Sequence, residues 1–132
     1  MSRKFYKNAK KVSLLDIKNL DKGKLYRFWL EIVKDGIGQD VSIPVMVAKG
    51  NKDGPVIGLT AAVHGNELNG IPVIQRLFKE LDVQQMSGTV VGVPVLNVPS
   101  LLRKKRRFLD GMDLNHIMPG KEGGTVSQIY SW

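Results

Sequence analysis

The stretch Val56-Ile57-Gly58-Leu59-Thr60-Ala61-Ala62-Val63-His64-Gly65-Asn66-Glu67-Leu68-Asn69-Gly70-Ile71 changes its hydrophobic period in mid-course, and that change decides the fold. Its first eight residues form a nearly continuous apolar run, the pattern of a buried, mostly parallel strand, which should end at His64. From Leu68 onward the apolar residues Leu68, Ile71, Ile74, Leu77, Phe78 and Leu81 recur at three- and four-residue steps, which predicts a helix burying one face. Pro72 is compatible with that helix only in its first turn, where a missing N–H costs no intrahelical bond. "MSG" (86–88) closes the helical unit, and "TVVGVPVLNV" (89–98) reads as another buried strand. Strand, helix, strand in that order is a right-handed crossover in an α/β sheet.

On the N-terminal side, "LYRFWLEIV" (25–33) and "VSIPVMVAKG" (41–50) predict two neighbouring strands, separated by the turn-rich "KDGIGQD" (34–40). "NKDGP" (51–55) predicts a turn before the central strand. After Asn97 the character changes. From Pro99 onward no helix or strand is predicted, only the loop signals "DGMDLN" and "MPGKEGG" and a short ending, "TVSQIYSW". A structureless stretch of this length is uncommon in a compact domain unless it is functional or lacks its partners.

The chain of 132 residues suits one domain with a single core and is too short for two. With 42% apolar and 24% charged residues it has the composition of a folded protein. It contains no cysteine, so disulfides, thiolate nucleophiles and cysteine-ligated zinc are excluded, and a metal would have to be held by imidazole and carboxylate. The N-terminus is basic but leads into no apolar segment, and no stretch approaches a membrane span; a cytoplasmic protein without a membrane partner is expected. The net charge of +8 is concentrated in two clusters. Arg3, Lys4, Lys7, Lys10 and Lys11 read as part of a solvated basic arm over residues 1–23, and Arg103, Lys104, Lys105, Arg106 and Arg107 form an unbroken run.

In parallel α/β sheets ligands bind beyond the C-terminal ends of the strands, where "HGNELNG" (64–70) lies. His64 and Glu67 across a tight turn can face one point, and one imidazole with one carboxylate is half of a tetrahedral zinc site. A lone histidine at a strand end is more often a capping or core hydrogen-bonder. A second constellation, "RRFLDGMDLNHIMPG" (106–120), gathers Arg107, Asp110, Asp113, Asn115 and His116 in one loop; its plain alternative is a surface turn held by Asx hydrogen bonds.

Taken in order, "GPVIGLTAAVHGNELNGI", "GTVVGVPVLNVPS" and "RRFLDGMDLNHIMPG" resemble the succinylglutamate desuccinylase and aspartoacylase family of the zinc carboxypeptidase-like superfamily, over roughly residues 24–120. The resemblance implies a three-layer α/β/α mixed sheet of zinc-exopeptidase type. About four strands and one main helix of it are expected here, in a domain portion over residues 24–132 that reads as truncated at its C-terminus. It further implies a zinc amidohydrolase acting on small, anionic N-acyl amino acids. His64 and Glu67 map onto two zinc ligands, and Arg107 onto the arginine that polarises the substrate carbonyl and binds anionic groups. Asn115 and His116 map onto the Asn and Arg that hold a substrate carboxylate. A guanidinium can stabilise a developing oxyanion, and a basic run beside an anion site steers substrate, which removes nucleic acid as the expected partner.

Two departures follow from the same comparison. His116 replaces the family arginine and offers no permanent charge or bidentate fork, so it is either a pH-dependent substitute or a sign that the substrate lacks that carboxylate. The family's third zinc ligand, a later histidine, and its glutamate base have no counterpart among these residues; "TVSQIYSW" reads as the start of the helix leading to that histidine. The expectation is therefore one zinc ion whose third ligand lies beyond Trp132, and little activity in the chain alone. Two other readings stand beside it. One is a natural, non-catalytic short member that binds or self-associates through an exposed sheet edge. The other is an unusual His64–Glu67–His116 zinc centre.

Overall fold

The computed structural model describes residues 8–132. Five strands, β1 (Lys10–Val12), β2 (Lys24–Lys34), β3 (Asp40–Lys49), β4 (Lys52–Thr60) and β5 (Ser87–Val93), form one mixed sheet in the order β1-β2-β3-β5-β4. Helix α1 (Gly70–Glu80) joins β4 to β5, and three short helices follow: α2 (Val98–Arg103), α3 (Leu114–Ile117) and α4 (Val126–Tyr130).

The predicted hairpin is present, with β2 and β3 antiparallel. The Asp35 carboxylate accepts hydrogen bonds from the N–H groups of Ile37 and Gln39, and Gly38 takes a φ of +83°, a conformation glycine reaches without Cβ strain. The crossover is present too, because β4 and β5 are parallel with α1 between them. Successive side chains of a strand point to opposite faces, and β3 divides the core accordingly. Ile43, Val45 and Val47 pack with Phe28, Phe108, Leu114 and Tyr130. Met46 and Ala48 pack with Ala61, Ile74 and Phe78. The sheet is thus covered by α1 on one face and by the chain after Asn97 on the other, the expected three layers. Helix α1 lies directly on β5, since a Cβ at Gly92 would fall 2.5 Å from the Phe78 ring.

Four expectations are corrected. The run 56–63 is not a buried strand ending at His64. Strand β4 stops at Thr60 and lies at the edge of the sheet, with eight of its nine residues exposed. Apolar composition records that a strand suits burial, whereas burial itself needs a neighbour, and among the described residues β5 is its sole strand partner. Most of "NKDGP" belongs to β4, whose pairing slips between Lys52 and Val56. The basic arm is not wholly solvated, because Lys10, Lys11 and Val12 pair in parallel with Phe28, Trp29 and Leu30; Arg3, Lys4 and Lys7 lie outside the described residues. Finally, the stretch after Pro99 contains most of three helices. At four to six residues they are too short to show a period, and they are set instead by their N-caps, Asn97, Asp113 and Thr125. Thr125 and Gln128 form a reciprocal capping box, so a helix does begin in "TVSQIYSW". Among the described residues no helix is long and apolar enough to cross a membrane.

Candidate metal centre

Beyond Thr60 the chain leaves the sheet along the segment that follows β5. Leu96 N–H donates to the Ala61 carbonyl at 2.9 Å and Asn97 N–H to the Ala62 carbonyl at 3.0 Å. The fully buried Asn97 side chain adds a bond from Nδ2 to the Val63 carbonyl at 3.0 Å, while its Oδ1 caps α2 through the Ser100 N–H. Ala62 takes a φ of +49°, a left-handed conformation that a residue with a Cβ adopts only under strain. Next, Gly65 passes against the backbone of α2 so closely that a Cβ there would lie 2.1 Å from the Ser100 carbonyl carbon. A turn closed by Glu67 N–H to the His64 carbonyl, 3.1 Å, brings the two side chains to one side.

His64 is buried, at 6% exposure, and both of its ring nitrogens face carboxylates. Nε2 is 2.7 Å from Asp113 Oδ1, and Nδ1 is 3.1 Å from Glu67 Oε1. The first contact is a hydrogen bond; the second lacks the alignment of one, so Nδ1 is buried without a hydrogen-bond partner. Asp113 also accepts from the Asn115 N–H at 3.1 Å as the N-cap of α3. Arg106 completes the cluster: its Nη1 donates to Glu67 Oε1 at 2.7 Å, and its Nη2 lies 3.6 Å from Asp113 Oδ2. The hydrogen bond to Asp113 raises the His64 pKa above its ordinary value, against the opposing effect of burial, with a further contribution from Glu67. The His64 contact in turn holds Asp113 below the usual carboxylate range, and His64 followed by Arg106 does the same for Glu67.

The predicted residues are therefore brought together in part. His64 and Glu67 meet as expected. Arg107 sits in the same loop, but its Nη1 donates to the Gly111 carbonyl at 3.2 Å, across the turn made by Phe108 and Met112. Asn115 and His116 are exposed on α3. Because Asp113 rather than His116 meets His64, the three-ligand His64–Glu67–His116 centre is not formed; among the described residues no group of three or more His, Asp or Glu side chains is placed to hold a metal. Sequence reasoning missed the roles of Asp113 and Arg106. Asp113 was read only as one of the polar residues of a loop, and nothing in the spacing linked it to a histidine 49 positions away. A cleft of about 600 Å³ runs from Thr60 to Gly70 past Glu67, and another of about 410 Å³ is lined by Arg103, Lys105, Arg106, Arg107 and Phe108. The Glu67–Arg106 ion pair joins the two.

These residues fit half of a zinc site. A proton on Nε2 shared with Asp113 leaves the Nδ1 lone pair free and fixes the ring, the usual outer-sphere support of a ligating imidazole. In tetrahedral coordination with bonds near 2.1 Å, two ligand atoms stand about 3.4 Å apart. The Nδ1 and Oε1 atoms are already within a few tenths of that, at 3.1 Å. An orphaned buried nitrogen beside a carboxylate oxygen suits imidazole-and-carboxylate coordination.

Comparison with known proteins gives a consistent picture. Residues 53–130 match the family model described as the succinylglutamate desuccinylase/aspartoacylase catalytic domain. An N-alpha-acetyl-L-2,4-diaminobutyric acid deacetylase from Halomonas elongata is 37% identical over 89 residues, 67% of this chain and 26% of the relative. A succinylglutamate desuccinylase/aspartoacylase structure from Rhodobacter sphaeroides superposes with a TM-score of 0.76 at 30% identity, over 89% of this chain and 36% of that one. The product-bound ectoine utilization protein of Ruegeria pomeroyi gives 0.73 at 28% identity, over 85% of this chain and 35% of that one. The chain thus spans about a quarter of the length of the curated relative and about a third of these structures.

Proposed function

The chain belongs to the succinylglutamate desuccinylase/aspartoacylase family, and on that premise we propose that it carries the first two metal ligands of a zinc-dependent amidohydrolase. The reaction is removal of the acyl group from a small, anionic N-acyl amino acid. One observation carries the reading: the buried Nδ1 of His64, without a hydrogen bond, faces Glu67 while Asp113 holds Nε2. Zinc held by His64 and Glu67 would supply Lewis-acid polarisation of the amide carbonyl and a water acidified to a pKa of about 7.

The remaining roles fall to the chain itself. Asp113 keeps the Nε2 proton and thereby fixes the tautomer in which Nδ1 can ligate. Arg107 is assigned to the oxyanion that develops on the substrate carbonyl and to substrate anionic groups, Asn115 and His116 to a substrate carboxylate. Support for these assignments is their place on the 107–116 loop that also carries Asp113. The basic run 103–107 attracts an anionic substrate over distance. Catalytic zinc sites carry three protein ligands; the reading assigns the third, and the general base, to residues outside these 132, and expects little turnover by the chain alone. A cytoplasmic location belongs to the same reading, because free N-acyl amino acids would be met there.

Zinc titration against a chromophoric competitor tests the proposal. One weak site is expected, abolished by His64→Ala and by Glu67→Ala; binding that survives both substitutions overturns the assignment. Turnover of N-acyl amino acids by the 132 residues at an ordinary enzymatic rate of about 10 s⁻¹ overturns the assignment of the missing groups. The exposed β4 edge favours a second reading, a non-catalytic module that self-associates through strand pairing.

A further inference from the structure

Arg106 is the member of the basic run that reaches the ligand pair, and it does so at a specific atom. Its Nη1 bonds to Glu67 Oε1, the same oxygen that faces the free Nδ1 of His64. Its second nitrogen lies near the outer oxygen of Asp113, so one guanidinium spans both carboxylates that flank the histidine. A planar fork can do this, where an ammonium offers a point charge. The Arg106 side chain is about half exposed, at 52%, and lines the cleft beside the centre, which leaves it room to swing away.

We propose that Arg106 is a built-in competitor for the metal: in the metal-free chain it neutralises Glu67 and Asp113, and it must release Glu67 Oε1 for a divalent cation to bind between that oxygen and His64. The inference rests on the zinc reading above and deepens it. Two cations sharing one carboxylate oxygen repel each other, so guanidinium and metal are alternatives at Oε1. Once released, the guanidinium remains beside Arg107 in the 410 Å³ cleft, where an anionic ligand could take it up. Arg106 is thereby a positioning residue that sets how readily the centre loads.

The test is zinc affinity, measured by competition titration on the intact chain, for the native sequence and for Arg106→Gln, Arg106→Lys and His64→Ala. Arg106→Gln should bind zinc more tightly, by roughly two- to fivefold, the factor that a partly exposed ion pair represents. Arg106→Lys, which keeps the charge and loses the fork, should fall between. A group that merely orients Glu67 and Asp113 would give the opposite sign, so equal or weaker binding by Arg106→Gln overturns the inference. If His64→Ala binds zinc as the native chain does, the zinc reading itself fails, which the same data set distinguishes.

Discussion

At the scale of single residues, the centre is governed by which atom of His64 is occupied. Asp113 holds Nε2 and leaves Nδ1 to Glu67. Replacing Asp113 by Asn keeps an N-cap for α3 and an acceptor for Nε2 but removes the charge. The His64 pKa, raised chiefly by Asp113, should then fall toward its ordinary value in an NMR titration, and zinc affinity should drop by about 10- to 100-fold. An unchanged midpoint would separate Asp113 from the histidine. The sign of the pH effect on stability follows from the two shifts. The raised His64 pKa contributes stability that is complete below its ordinary value near 6.5 and is lost as pH rises through the folded value. The lowered Asp113 pKa contributes stability present above its ordinary value near 3.9 and lost as pH falls through the folded value. The pair therefore stabilises the metal-free chain most between about pH 4 and 6.5, and Asp113→Asn should flatten that region of the pH–stability curve.

At the scale of elements, the turn after β4 depends on the absence of a side chain. A Cβ at Gly65 would meet backbone atoms of Ser100 and Leu101 at 2.1 to 2.4 Å, and backbone cannot rotate out of the way. Gly65→Ala should destabilise the chain by about 1–3 kcal/mol, read from its denaturation midpoint, and should weaken zinc binding because His64 adjoins the displaced turn. The hairpin, the crossover helix and the pairing of His64 with Glu67 were legible, since each is written in local period or spacing. Strand β4 was legible as a strand but not as an edge, because the neighbours that bury a strand are chosen by topology. The helices after Asn97 were hidden by their shortness, although Asn97 followed by Pro99, Asp113, and Thr125 with Gln128 carried their capping signals. Asp113 and Arg106 were visible as charged residues, but their use depends on a loop that folds back across the sheet.

At the scale of the whole molecule, β4 is an edge of the sheet among the described residues, with Val56 and Ile57 more than half exposed. No lysine or glutamate lies between Gly54 and Thr60 to discourage pairing with another strand. Concentration-dependent association should be measurable by sedimentation, and Val56→Lys should suppress it; a native chain that stays monomeric at high concentration would remove the self-associating reading. Two buried side chains, Asn97 and Ser100, also join the two walls of the centre. Asn97 grips Val63, the residue before His64, and caps α2, whose Ser100 hydroxyl donates to the carbonyl of Arg107. Mechanically, this is a linkage with few degrees of freedom: a pull on the arginine loop is passed through one short helix to the residue beside the histidine. A change in the arginine loop is thus felt at the histidine turn, and a substitution that shifts one must also be tolerated by the other.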